Sequence, residues 1–136
     1  MQTLFLNSEE SLDEIAKLVF SALGLSKIVE GDSSFSSSGY YLEGTTLGIV
    51  IKIDENNYDY EDTYNYMISI KKDIGTKLAD DNALLGFAEV VASIISVKLG
   101  IEVALELELR RTDVYSLKVF SFDGEKAIAN IKSYNN

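Results

Sequence analysis

The sequence predicts an α+β fold: a mainly antiparallel sheet of about five or six strands, with two helices packed on one face. Three observations lead there. Two segments, Ser11 to Leu23 and Asp81 to Leu99, repeat their apolar side chains at helical spacing. The runs between and after them alternate with a period of two and are separated by turn signals, which favours antiparallel pairing. The elements come as helix, strands, helix, strands, without the strict alternation that a parallel doubly wound sheet needs. At 136 residues the chain is read as one α+β domain spanning 1–136, long enough to bury a core without disulfides.

Each element has its own signal. Ser11 and Glu14 form a capping box, and Leu12, Ile15, Ala16, Val19 and Leu23 then mark one helix face. Leu18 and Phe20 widen that face, and Gly24 sits where a helix-terminating glycine belongs. The serine-rich "GDSSFSSSGYY" reads as turn-like. "YYLEGTTLGIVIKID" then reads as two short strands joined at Glu43-Gly44, with Leu47, Ile49, Ile51 and Ile53 facing the core. Tyr64, Tyr66, Ile68 and Ile70 alternate along the next strand. The second helix has Asp80 or Asp81 as its N-cap, an apolar face built on Leu84, Ala88, Val91, Ala92 and Ile95, and Gly100 at its end. "IEVALELELR" alternates cleanly, with Val103, Leu105 and Leu107 on the core side and Glu102, Glu106 and Glu108 on a wet side. "VYSLKVFSF" and "EKAIANIKSY" follow as strands around a hairpin turn at Asp123-Gly124.

Composition excludes several kinds of chemistry. Without cysteine the chain forms no disulfide and offers no thiolate. Without histidine it lacks the commonest general base and the commonest ligand for zinc or copper. No nucleophile elbow, P-loop or dinucleotide fingerprint occurs, so the chain is read as no enzyme and as needing no cofactor. A net charge of −10 repels phosphate backbones, so no nucleic-acid partner is expected, while a basic protein would be steered in. The N-terminus shows no basic, apolar secretory signal, and no uninterrupted apolar run reaches membrane-spanning length. The expected setting is the cytoplasm, with no membrane contact and an oligomeric state left open.

The stretch "DENNYDYEDTYNY", residues 54 to 66, carries the candidate site. It packs five carboxylates and four tyrosines between two strands, with no lysine or arginine among them. Tyrosine offers broad contact area with a polar tip, and carboxylates are targets for arginine and lysine. Asp54, Glu55, Tyr58, Asp59, Tyr60, Glu61, Asp62 and Tyr64 are therefore the expected partner-binding residues. The competing reading makes the tyrosines sheet residues and the acids their solvated edge. Calcium binding by an EF-hand fails on spacing: counted from Asp54, the fifth position is Tyr58, the glycine position is Asp59 and the final glutamate position is Asn65. No metal site is expected. Glu102, Glu106 and Glu108 on one strand face, with Asp54, Asp59 and Glu61 in the connection, leave a carboxylate-based hydrolase as a third reading.

The run "GYYLEGTTLGIVIKIDENNYDYEDTYNYMISI" resembles the central strands of α+β bacterial immunity proteins, those of contact-dependent growth inhibition systems being the nearest group. The resemblance implies a cytoplasmic inhibitor of a co-encoded basic toxin domain, often a nuclease, whose active site or neighbouring surface it covers. The alternative resemblance is to type III secretion effector chaperones, small acidic α+β proteins that usually end in a helix. The final "AIANIKSYNN" reads instead as a strand with a polar tail.

Overall fold

The computed structural model describes residues 1–32, 40–46, 48–57, 60, 63–73, 81–107 and 114–135. Among them the fold is α+β, with two helices and one antiparallel sheet of eight strands. The elements run β1 (Gln2–Leu6), α1 (Leu12–Ala22), β2 (Val29–Asp32), β3 (Tyr40–Thr46), β4 (Ile49–Glu55), β5 (Tyr66–Lys72), α2 (Asp81–Leu99), β6 (Val103–Leu107), β7 (Val114–Phe122) and β8 (Ala127–Asn135). The strand order is β2-β3-β4-β5-β1-β6-β7-β8. Two meanders, β2 to β5 and β6 to β8, are thus joined through β1, which pairs antiparallel with both β5 and β6.

The expected five or six strands become eight because β1 and β2 carry no period-two signal. β1 reads QTLFL, and its three consecutive apolar residues are all buried, Leu4 and Leu6 under the helices and Phe5 on the opposite face. A strand covered on both faces shows no alternation. β2 is four residues long and mostly exposed, so it has no hydrophobic pattern to read.

Both helices pack on one face of the sheet. Ile15, Val19 and Phe20 of α1 and Leu84, Ala88, Val91 and Ile95 of α2 share a core with Leu4, Leu6, Ile51, Ile53, Ile68, Ile70, Val103 and Leu105. Burying one such aliphatic side chain contributes about 1.5–3 kcal/mol. Asn82–Leu99 has the length and apolar composition of a membrane span, but in this fold it lays its Leu84, Ala88, Val91, Ala92 and Ile95 face against that core. Lys98 donates to the carbonyl of Ala22 at 3.1 Å, placing a cation on the C-terminal end of α1. Lys118 of β7 pairs with Glu89 of α2 at 2.9 Å.

The helix ends follow the sequence signals. The amide of Glu14 donates to Ser11 Oγ at 3.3 Å. At the other end Leu25 N donates to Phe20 O and Gly24 N to Ser21 O, the paired bonds of a Schellman motif, with Gly24 at φ +75°. The turn between β3 and β4 lies at Gly48, φ +75°, rather than at Glu43-Gly44; Leu47 is outside the described residues. Gly44 instead sits within β3, where a Cβ would come 3.1 Å from the Leu25 side chain as α1 ends above it. The hairpin turn falls at Asp123-Gly124 as expected, but it also takes in Glu125 and Lys126, which were expected in the strand that starts instead at Ala127; Asp123 shapes it. Its carboxylate accepts from the amides of Glu125 and Lys126, which hold it below the usual carboxylate range.

Two glycines allow a test of opposite signs. A Cβ on Gly24 or Gly86 would meet nothing within 4 Å, so backbone conformation alone decides each outcome. Gly24→Ala forces a left-handed residue and should cost about 1–2 kcal/mol. Gly86→Ala, inside α2, should gain up to about 1 kcal/mol. Urea unfolding midpoints check both; the same sign for the two would contradict the assigned backbone.

Candidate functional site

Two described residues of the connection between β4 and β5, Tyr60 and Tyr64, pack on the helix-free face of the sheet. The chain leaves the strand at Asn56, whose amide donates to Asn65 O at 3.0 Å and whose side chain donates to Tyr64 O at 2.9 Å. A turn at Tyr60, with φ +62°, accepts from the amides of Thr63 and Tyr64. The rings then land on Phe5. Tyr60 meets it edge to face at 5.4 Å between centroids, and Tyr64 stacks on it at 6.1 Å. Phe5, Tyr64, Ala104, Leu117 and Val119 form a second buried cluster there, flanked by Tyr60 and Met67.

This overturns the expected alternation through Tyr64. Tyr66 starts β5 and enters the main core, whereas Tyr64 packs on the opposite face. The bend at residues 64 and 65 breaks the period of two. The face expected to be wet is also partly closed, since Ala104 is fully buried. Tyr64 donates its hydroxyl to Glu102 Oε2 at 2.9 Å, and Glu102 lies 3.9 Å from Lys132 Nζ. Glu102 therefore anchors the connection rather than standing free in solvent.

Of the expected binding residues, Asp54 and Tyr64 are buried and so support the surface from beneath. Glu55 is exposed and Tyr60 half-buried. Tyr58, Asp59, Glu61 and Asp62 lie outside the described residues.

A second segment joins the site. β1 pairs with β5 so that Leu6 faces Tyr66, which brings residues 7–10 alongside Asn65. Asn65 and Ser8 clasp each other: Ser8 N donates to Asn65 Oδ1 at 3.0 Å, and Asn65 Nδ2 donates to Ser8 O at 2.7 Å. Ser8 Oγ accepts from Glu10 N at 3.1 Å, and Tyr66 donates its hydroxyl to Glu10 O at 2.6 Å. The result is an open depression of about 770 Å³ lined by Asn7, Ser8, Glu9, Glu10, Asn65, Tyr66 and Ile101. Among the described residues no basic side chain lines it. Burial, then the charges of Glu55 and Glu10, push the Tyr66 hydroxyl above its ordinary value of 10.0. The two carboxylates add to the effect of burial on this phenol.

That shift has a measurable sign. With its folded value raised, neutral Tyr66 favours the fold at all pH below 10, and stability falls as pH climbs through 10 toward the folded value. Ultraviolet titration should show late-ionising tyrosine absorbance that falls by one ring in Tyr66→Phe and moves to lower pH in Glu55→Gln. A titration unchanged by Glu55→Gln would remove the carboxylate from the cause.

Glu9 and Glu10 were not among the residues expected from sequence. They stand far from the 54–66 run, and only the β1–β5 register brings them to it. Among the described residues no group of three or more acidic side chains is placed to hold a metal ion. Compared with known protein families, curated proteins and solved structures, the chain matches none.

Proposed function

We propose that this chain is an acidic, cytoplasmic immunity protein that binds and neutralises a basic toxin domain, a nuclease being the fitting class. The observation that supports it most is the depression between the β1–α1 and β4–β5 connections. Glu9 and Glu10 line it, Glu55 adds to its field, and among the described residues no lysine or arginine lines it. A nuclease cleft is built to hold phosphates, and neighbouring carboxylates compete for the same cations. The clasp of Ser8 with Asn65 and the seating of Tyr60 and Tyr64 on Phe5 hold the two connections that carry these carboxylates together before a partner arrives. Such preorganisation lowers the entropy lost on binding. Inhibition would be steric: the acidic end covers the toxin's active site or the surface beside it, and the chain performs no chemistry.

The test is protection. The toxin domain encoded beside this chain is expressed with and without it, and survival is counted. The natural chain should restore growth, and the Glu9→Lys, Glu10→Lys, Glu55→Lys triple variant should restore much less while keeping its fold. Equal protection by the triple variant would move the interface away from this end, and no protection by the natural chain would end the reading.

A further inference from the structure

The two edges of the sheet are finished differently. β2 closes one edge with the four residues Val29–Asp32, including Glu30, Gly31 and Asp32. A short, acidic, glycine-containing edge resists pairing with another chain. β8 closes the other edge with nine residues, in continuous one-to-one register with β7 from Ala127 to Asn135. It contains no proline and no acidic residue, although the chain carries a net charge of −10. Ala129 to Ser133 are all exposed, and Ile131 is 66% exposed. Along the outer side of β8, alternate N–H and C=O groups face away from β7, and among the described residues no strand adjoins them.

We propose that β8 is a dimerisation edge, and that its occupant is the β8 strand of a second copy of this chain. An antiparallel strand of any sequence would satisfy the backbone, so the side chains decide the partner. A two-fold axis through Ile131, normal to the sheet, keeps the helices of both copies on the same side. It sets Ile131 against its own counterpart, Ala129 against Ser133, and Lys132 against Asn130. No like charges meet directly, and Lys132 already lies 3.9 Å from Glu102. The exposed isoleucine, an isolated apolar side chain in one copy, becomes a cross-strand apolar pair in two. A basic ligand would find a lysine and no carboxylate on this strand, which separates it from the acidic end of the molecule. The inference stands whether or not the toxin-binding reading holds.

The absence of cysteine makes the test clean. In sedimentation over a dilution series, the natural chain should reach twice its 15.0 kDa mass. Ile131→Glu, a change at an exposed position, should sediment as one chain with an unchanged circular dichroism spectrum. Directly opposed cysteines on antiparallel strands lie within reach of a disulfide, so oxidised Ile131→Cys should yield a covalent dimer. Leu18→Cys, 44% exposed on α1, should not. A natural chain that stays monomeric at every concentration overturns the proposal. So does a dimer that survives Ile131→Glu, or cross-linking at Ile131 no greater than at Leu18.

Discussion

Phe5→Ala should cost the fold about 3–5 kcal/mol, the range for truncating a buried phenylalanine. Phe5 is 2% exposed and points away from the helices, where Tyr60 and Tyr64 rest on its ring. Met67 and Ala104 flank it on the neighbouring strands. Alanine would leave a hole under the β4–β5 connection that these neighbours fill only in part. Because that connection also carries Asn65, which clasps Ser8, the acidic depression should loosen with it. Urea unfolding followed by tyrosine fluorescence gives the energy, and hydrogen exchange at Tyr64 and Asn65 gives the local effect. Phe5→Leu should recover most of the loss. A change under about 1 kcal/mol for Phe5→Ala would mean that the second cluster is not packed as described.

The triple reversal Glu9→Lys, Glu10→Lys, Glu55→Lys should slow association with a basic toxin domain about ten- to a hundredfold at low salt, because steering depends on the local field. The three side chains are exposed, and the backbone bonds at Glu10 survive the change, so stability should move by no more than about 0.5 kcal/mol per site. Stopped-flow binding across a salt series checks the rate, whose salt dependence should flatten. The Tyr66 titration supplies a readout that needs no partner: its ionisation should shift to lower pH in the same variant. An unaltered association rate alongside a shifted Tyr66 would show that the local field had changed without consequence for binding, and would place the partner elsewhere.

The legible parts of the fold were those with local signals. The capping box at Ser11, the glycine ends of both helices, the Asp123-Gly124 turn and the alternation of β4 and β6 each depend on residues close in sequence. β1 was not legible, because a strand buried on both faces looks like any short apolar run. Tyr64 was misplaced by one face because a bend at residues 64 and 65 resets a periodicity that sequence continues without interruption.

The candidate site divides in the same way. The acid- and tyrosine-rich character of residues 54 to 66 is plain from sequence, as is the lack of imidazole and thiol groups. Which tyrosines support the surface was not, because stacking on Phe5 joins residues some sixty positions apart in the chain. Composition and short-range periodicity suffice for the α+β class, for both helices with the Ser11 cap of α1 and the glycine at each C-terminal end, and for a net charge of −10; Asp81 is the first residue of α2, and Asp80, the other N-cap candidate, lies outside the described residues. The strand order, the central position of β1 and the meeting of Glu9 and Glu10 with Tyr66 have no local signal. Those follow from long-range register, which is set when two faces of one sheet are covered at once.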